Sequence, residues 1–492
     1  MRFRVRYAQR VFVAAILCGA MAGGQAFAAE AATPDNSKNT ARPCWHKAPM
    51  LSIMTGFIYQ PGMHYTIQQW MENLGNEFSA DQWVKDFKEV GADHVIFYDK
   101  WIDGLVFHDT KTTGFKTKRD FVRELAAACQ RGGLPLVLYF NAVSDGNPEF
   151  NQWSLLDKQG RPIVFSRQWP TRYQTLHSPF RQKCLEQVRE LLSNYGPIHG
   201  IWHDIFRERL NTTSQWTADG YQKMFGEPFG KASGARLAEF NARTLAGYLD
   251  EVEAIRREQR QEHCLFTANG SGSAFLAGGA WTDQVGTRLQ YLFNEGHSFI
   301  KNETLARMAW ALPKPLDINL LLNKSWFTPL NDVPPGPAYS DEQAIAATAI
   351  AVCQGAGVTL ALTPGHDGRF GADLQRAKAV GAWFRNIQPW LANAQPAADV
   401  AIVNTNDAAR YRSIFTKVGD ACVLHVIDAA VPASNYQPAS VEISLAAQQL
   451  GDRNQATLAG SDKALTLSEK DGRLSFVVQP NPVATVVFKG RK

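Results

Sequence analysis

Hydrophobic positions between residue 49 and about residue 395 follow one repeated pattern. Short runs rich in β-branched and aromatic residues alternate with stretches that have the apolar spacing of amphipathic helices, which is typical of βαβ units and a parallel sheet. Eight such runs occur, at residues 51–59, 94–99, 134–140, 198–204, 264–269, 290–295, 316–322 and 358–363. The pattern predicts an α/β fold, a (β/α)₈ TIM-type barrel, with a doubly wound open sheet as the alternative.

Helix boundaries are marked by capping residues. The helix before the second run is predicted to begin after Ser79 and to end at Gly91, and the next helix is predicted to end at Gly132. A third helix is predicted to begin near Ser178 and to end at Gly196. These signals support the same order of strands and helices.

Beyond residue 396 the helical spacing stops, and short alternating runs separated by polar turns continue to the end of the chain. This change predicts a barrel domain at 49–395 followed by a small all-β sandwich domain at 396–492.

The first residues have the features of an export signal. Four arginines precede an apolar, small-residue stretch that ends at Ala26-Phe27-Ala28, which predicts a signal peptide at 1–28 cleaved near Ala28. Polar residues 29–48 without periodicity are interpreted as a tether. We therefore expect a secreted or periplasmic protein without a membrane anchor in its mature form.

Charge and motifs exclude several classes of function. Removal of the first 28 residues leaves 47 basic against 46 acidic residues, so the electrostatics predict no nucleic-acid partner. No glycine-rich phosphate-binding motif follows any predicted strand, and the six remaining cysteines form no C-x-x-C pair. We therefore expect neither a cofactor nor a metal. Any disulfide and the oligomeric state stay open.

The active site of such a barrel lies where its strands end, and those positions are rich in carboxylates, amides and tryptophans. These groups break glycosidic bonds, bind hydroxyls and stack on sugars, which predicts an oligosaccharide or polysaccharide substrate. Asp204 and Glu295 are the predicted catalytic pair. Glu208 and Glu149 are the alternatives to Glu295 as the second carboxylate. The structural alternative for Asp204 is an ion pair with Arg207 or Arg209. The predicted substrate-binding residues are His64, Lys100, Trp101, Asp103, Trp202, His203 and Asn269.

Residues 76–206 resemble α-L-fucosidases of glycoside hydrolase family 29. The most specific part is the stretch QVRELLSNYGPIHGIWHDIF, in which Glu190, Leu191, Tyr195, Gly196 and Trp202 match the family pattern around its nucleophile. The resemblance implies that Asp204 is the nucleophile. The family's Lys-His-His-Asp-Gly-Phe, whose histidines touch the sugar, is replaced here by residues 100–105, KWIDGL, so the sugar specificity stays open.

We therefore predict a glycoside hydrolase, α-L-fucosidase-like and retaining. An inverting hydrolase or transglycosylase would be distinguished by the separation of the two carboxyl groups. The alternative from another class is a non-catalytic carbohydrate-binding protein on the same barrel scaffold.

Overall fold

A computed structural model of the chain describes residues 45–490, except 48, 61–64, 166–168, 170, 205–213, 296–302, 304, 332, 398–409, 433, 454 and 462. The predicted signal peptide and most of the predicted tether lie outside the described residues. No helix within the described ranges is long and apolar enough to cross a membrane.

Eight parallel strands form one sheet, in agreement with the predicted barrel. They are β1 (Leu51–Thr55), β2 (His94–Lys100), β3 (Leu136–Asn141), β4 (Gly200–Asp204), β5 (Leu265–Ala268), β6 (Leu292–Asn294), β7 (Leu316–Leu321) and β8 (Gly357–Leu362). Their spatial order is β5-β4-β3-β2-β1-β8-β7-β6. Every hydrogen-bonded neighbour pair is parallel. Each predicted run is confirmed as a strand, and the observed bounds differ by a few residues.

The seam between β5 and β6 is held by individual hydrogen bonds instead of a continuous ladder. The backbone N–H of Gln290 donates to the carbonyl of Phe266 at 2.9 Å, and the Thr267 hydroxyl donates to the carbonyl of Tyr291 at 2.8 Å. These contacts bring the ends of β5 and β6 together, which decides the arrangement of the site described below.

Helices cover the outside of the sheet. They are α1 (Ile67–Met71), α2 (Ala80–Val90), α3 (Phe121–Gly132), α4 (Phe180–Asn194), α5 (Gln215–Phe225), α6 (Gly234–Glu258), α7 (Ser271–Ala277), α8 (Ala280–Gln284), α9 (Asp341–Val352) and α10 (Ala372–Ile387).

The caps of α2 and α3 test the predicted boundaries. Ser79 accepts a hydrogen bond from the Gln82 N–H at the start of α2, and Gly91 ends that helix with φ +85°, as predicted. Helix α3 ends at Gly132, as predicted, and the residue after it, Gly133, is the left-handed C-cap. Gly132 also permits close packing of α3 on α2, since a Cβ there would lie 2.5 Å from Val84 Cγ1.

Alternating side chains of the strands divide the barrel interior from the layer beneath the helices. The inner cluster contains Tyr98, Tyr139, Trp202, Tyr291 and Phe293, all buried. Their neighbours along the strands, such as Phe97, Phe140 and Ile201, belong to the outer core that packs against the helices. This alternation determines which polar residues can reach the mouth of the barrel.

The C-terminal region is all-β, as predicted. It contains β9 (Tyr411–Val418), β10 (Ala421–Asp428), β11 (Val441–Ala446), β12 (Gln455–Leu458), β13 (Ser468–Lys470), β14 (Arg473–Val478) and β15 (Val483–Lys489). Antiparallel sheets in the orders β9-β10-β15-β12 and β11-β14-β13 share one apolar core. The region packs on helix α9, where Gln343 donates to the Val431 carbonyl at 3.0 Å. The boundary at residue 396 stays a prediction.

The end of the predicted tether is part of the fold. The Trp45 indole donates to the carbonyls of His199 and His263, which lie just before β4 and β5. His46 is buried and lies 2.8 Å from Asp317 on β7. These residues therefore pack at the end of the barrel opposite the candidate site.

Candidate active site

Two carboxylates meet at the mouth of the barrel through a shared amide. Asp204 ends β4, Asn269 follows β5 and Glu295 follows β6. The Asn269 Nδ2 donates to Asp204 Oδ1 at 2.9 Å and to Glu295 Oε2 at 3.0 Å. Because one nitrogen contacts both oxygens, these oxygens lie at most about 6 Å apart. The Glu295 N–H donates to Asn269 Oδ1 at 3.1 Å, which fixes the orientation of the amide.

Two tyrosines of the barrel interior support this pair. The Tyr139 hydroxyl donates to Asp204 Oδ2. Burial and the Asp204 charge raise the pKa of Tyr139 well above its ordinary value, so the hydroxyl keeps its proton. Burial, Glu295 and Asp204 likewise raise the pKa of Tyr98. Sequence analysis missed both tyrosines, although their positions on strands facing the barrel interior are the signal that could have identified them.

Trp202 and His203 lie on opposite sides of β4. Trp202 is 2% exposed and stacks on Tyr139 with ring centroids 4.7 Å apart, so it forms the floor beneath Asp204. His203 points outward toward Tyr248 on α6 and is fully buried, and burial lowers its pKa to about 3. The prediction that His203 binds substrate is therefore wrong, because its place in the strand turns it away from the mouth.

Lys100 also points away from the mouth, contrary to the prediction that it binds substrate. The pairing of β2 with β3 shifts register between Tyr98 and Lys100, and this bulge turns the Lys100 side chain toward α4. Its Nζ is fully buried, 2.9 Å from Asp145 and 3.2 Å from the Gln187 Oε1 on α4. Lys100 therefore belongs to a buried ion pair behind the sheet.

Asp103 stabilises the turn that follows β2. The carboxylate accepts the Leu105 N–H at 2.9 Å, and the side chain is 4% exposed. Burial raises the pKa of Asp103 to about 7, against the opposing effect of backbone N–H groups at Leu105 and Tyr59. These contacts link the loops after β1 and β2, so Asp103 holds the shape of the mouth instead of offering an open carboxylate to a sugar.

The other predicted site residues have different outcomes. Trp101 is half-buried at the mouth, where it packs against the inner cluster. Glu149 is exposed and accepts hydrogen bonds from Thr113 and Gly114 on a surface loop, away from the carboxylate pair. His64, Glu208, Arg207 and Arg209 lie outside the described residues.

Two of the residues that carry the family resemblance act in packing. Glu190 on α4 accepts a hydrogen bond from the Thr110 hydroxyl at 2.6 Å and lies 3.3 Å from His108 Nε2. His108 Nδ1 lies 2.7 Å from Asp99 at the end of β2. The Tyr195 hydroxyl accepts the Asp109 N–H at 3.0 Å. This buried network holds the loop after β2 against α4.

One known family resembles this chain. Residues 45–276 match the family model described as alpha-L-fucosidase. The matched residues include β1 to β5, so this part of the barrel resembles the α-L-fucosidase family. No curated protein sequence matches it significantly.

Solved structures of α-L-fucosidases share the fold of this fucosidase-like chain. Isoenzyme 2 from Paenibacillus thiaminolyticus matches with a TM-score of 0.71 at 11% identity, covering 90% of this chain and 100% of the other. The Thermotoga maritima α-fucosidase matches with a TM-score of 0.57 at 14% identity, covering 90% and 95%. A family 29 α-L-fucosidase from Bacteroides thetaiotaomicron matches with a TM-score of 0.53 at 14% identity, covering 89% and 92%.

Proposed function

We propose that this protein is a retaining glycoside hydrolase in which Asp204 is the nucleophile and Glu295 the acid/base. The observation that carries the proposal is the pair of carboxylates joined by Asn269. Retaining enzymes hold their two carboxyl groups about 5–5.5 Å apart, whereas inverting enzymes need about 6.5–9.5 Å to admit a water molecule. The upper limit of about 6 Å between the bridged oxygens favours the retaining arrangement.

The surroundings of the pair suit this division of roles. Asp204 accepts hydrogen bonds from Tyr139 and Asn269, which stabilise its charged form and aim it as a nucleophile. Asp204 would attack the anomeric carbon while Glu295 protonates the departing oxygen. Glu295 would then take a proton from water, which displaces Asp204 and releases the sugar with its original configuration.

Fucose is the first glycone to test, and a different neutral sugar is the expected variation. The family match supports an α-L-fucoside. However, the positions of the two sugar-binding histidines in the family pattern are occupied here by Trp101 and Ile102, and Ile102 is buried. Two imidazoles are thus replaced by an indole, which keeps one N–H donor, and by an aliphatic side chain, and both changes would alter the recognition of the sugar hydroxyls.

The proposal is tested with aryl glycosides, beginning with aryl α-L-fucoside and including other neutral sugars, assayed by release of the phenol. Asp204→Asn should lower kcat by on the order of a thousandfold or more while leaving the thermal unfolding temperature nearly unchanged. Glu295→Gln should be rescued by azide, because a small anion needs no general base. Proton NMR of the first product formed should show retention.

Glu149→Gln is the matched control, since it removes a carboxylate from a surface loop of the same barrel. Its turnover should stay close to that of the wild type. Undiminished hydrolysis by Asp204→Asn, or first product of inverted configuration, would refute the assignment.

A carbohydrate-binding protein without catalysis is the second candidate. The replacements at positions 101 and 102 favour it, because they remove the family's histidines that touch the sugar. Binding of glycans to the wild type without turnover of any aryl glycoside would support this candidate.

We also propose that the protein is exported and cleaved near Ala28, on the basis of the arginine-rich start and the apolar stretch that follows. Mass spectrometry of the protein from the periplasm and culture medium should show a mature chain that begins near Ala29. An uncleaved chain retained in the cytoplasm would contradict this.

A further inference from the structure

The amide that joins the two carboxylates belongs to the only Asn-Gly pair in the sequence, Asn269-Gly270. An asparagine deamidates when the backbone nitrogen of the next residue attacks its side-chain Cγ. Glycine has no Cβ to hinder that attack and restricts the backbone least, so an Asn-Gly pair is the most reactive context for this chemistry. The single pair of this kind in the chain therefore lies at the candidate active site.

The local conformation leaves the pair open to attack and to water. Gly270 follows β5 directly after Asn269 and adopts the left-handed conformation, with φ +74° and ψ 5°. A Cβ added to Gly270 would have no heavy atom within 4 Å, so the space around this backbone is empty. Both residues are half-buried, and water can therefore reach the Asn269 amide.

Hydrogen bonds of the folded site oppose the attack. The Asn269 Nδ2 donates to Asp204 and Glu295, and Oδ1 accepts the Glu295 N–H at 3.1 Å. The Asn269 backbone N–H donates to the His203 carbonyl at 2.8 Å. Cyclisation turns the side-chain Cγ toward Gly270 and breaks the contacts of the amide, which costs free energy. The fold therefore slows the reaction at this pair relative to the unfolded chain.

We propose that Asn269 is a deamidation site and that its conversion to aspartate or isoaspartate disables the carboxylate pair. The Gly270 nitrogen forms a bond to Asn269 Cγ and loses its proton, and Nδ2 leaves with that proton as ammonia. Water then opens the cyclic imide at either carbonyl carbon, which gives aspartate or isoaspartate. Water is the only co-reactant, and nothing is oxidised or reduced. The loss of activity rests on the proposed function, whereas the chemical conversion does not.

Conversion replaces a hydrogen-bond donor with a third carboxylate between Asp204 and Glu295. The nitrogen that is lost lies 2.9 Å from one carboxylate oxygen and 3.0 Å from the other. Like charges at such distances do not all ionise, so one of the three carboxyl groups keeps a proton at neutral pH. The separate charge states that a nucleophile and an acid/base need are then lost. Isoaspartate also lengthens the backbone by one carbon and displaces the side chain.

The first test follows conversion and activity together during storage at mildly alkaline pH, where the Gly270 nitrogen loses its proton more readily. Peptide mapping by mass spectrometry measures the converted fraction at residue 269, and phenol release from the aryl glycoside measures activity in the same samples. In the wild type, activity should fall in proportion to conversion. The urea-unfolded chain should convert several-fold faster, because the contacts of the amide are absent.

Gly270→Ala is the decisive variant, since a methyl group beside the nitrogen hinders its attack. It should convert several-fold more slowly than the wild type and should keep its own starting activity for correspondingly longer. Gly226→Ala is the matched control, because Gly226 ends α5 with φ +74° and ψ 7°, and an added Cβ there also meets nothing within 4 Å. Gly226 follows Phe225, so this variant has the same backbone strain without a changed Asn-Gly pair and should convert like the wild type.

A second test needs no activity. Asn269→Asp carries the converted side chain from the start, whereas Asn269→Leu loses the same donor without gaining a charge. The unfolding temperature of Asn269→Asp should be lower than that of Asn269→Leu at neutral pH. The difference should shrink as the pH falls toward about 4, where the crowded carboxyl groups take up protons.

Three results would overturn the proposal: activity that falls while the Asn269 amide stays intact, conversion without loss of activity, or equal rates of conversion in the wild type and Gly270→Ala. If no glycoside is turned over, the proposed hydrolase fails, and the mass spectra and unfolding temperatures still decide the proposal. Conversion that Gly270→Ala slows, together with the acid-reversible destabilisation of Asn269→Asp, would then support it. An intact amide, or a difference in unfolding temperature that does not depend on pH, would overturn it.

Discussion

Replacement of Lys100 by methionine tests the assignment of this side chain to the buried layer behind the sheet. Burial opposes the charge of Lys100, but Asp145 holds its pKa above the ordinary value, so the side chain is cationic at neutral pH. Its Nζ also lies 5.0 Å and 5.1 Å from the centroids of the Phe140 and Phe180 rings. Phe140, Phe180 and Gln187 lie between the sheet and helix α4.

The expected cost follows from what the ammonium leaves behind. In Lys100→Met the Asp145 carboxylate stays fully buried, and the Asn147 N–H at 2.8 Å is its remaining backbone donor. Loss of one partner of a buried ion pair costs about 3–5 kcal/mol, whereas replacement of both partners is often nearly neutral. Lys100→Met should therefore lower the free energy of unfolding by about 3–5 kcal/mol. Lys100→Met/Asp145→Asn should recover at least part of that loss.

Urea unfolding at neutral pH, followed by tryptophan fluorescence, measures these differences. Lys88→Met is the control, because Lys88 is an exposed lysine that donates to the Gly132 carbonyl, and its loss should change stability by no more than about 0.5 kcal/mol. The folded Lys100→Met protein should bind substrate normally. Unchanged stability combined with lost binding would refute the buried role and return Lys100 to the substrate pocket.

Three further predictions concern hydrogen bonds of the site and its support. Tyr139→Phe removes the hydroxyl that stabilises charged Asp204. The acidic limb of the plot of kcat/KM against pH should therefore move upward by about one pH unit, and an unmoved limb would contradict this. Asn269→Leu removes the amide that donates to both carboxylates and should lower kcat/KM by about a hundredfold in the aryl glycoside assay. Near-normal turnover would show that this amide is dispensable. Burial alone would lower the pKa of His108, but Asp99 and Glu190 raise it to about 9. The charged imidazole therefore stabilises the folded state fully below about pH 6.5, and this stabilisation is lost as the pH rises through 9. The stability advantage of the wild type over His108→Gln in urea should therefore shrink by roughly 2–3 kcal/mol between about pH 6 and pH 10, and a constant difference would refute the charged state.

The main elements of the fold were predictable because they depend on local patterns. Eight apolar runs separated by amphipathic stretches correspond to the eight observed strands, and Ser79 and Gly91 bound α2 as expected. The all-β end of the chain was equally visible in its alternating runs. Strand bounds were less exact, since apolar residues continue past the last ladder hydrogen bond into the loops.

The candidate site was predictable only in part. Asp204, Asn269 and Glu295 were identified because they end or follow strands, and the structure brings these three together. Lys100 and His203 met the same criterion and point the other way. Position at the end of a strand therefore selects candidates, but it does not tell which face of the sheet a side chain occupies.

By itself, the sequence determined the order of strands and helices, the change to an all-β end and the place of Asp204 at the end of the fourth strand, because each depends on neighbouring residues. Only the tertiary structure decided that Asn269 joins Asp204 to Glu295, because closure of the sheet brings together strand ends that are far apart in the chain. It also decided that Lys100 lies behind the sheet, since a bulge in β2 reverses the alternation there. Both outcomes arise from pairing between strands, which the hydrophobic pattern of a single strand does not contain.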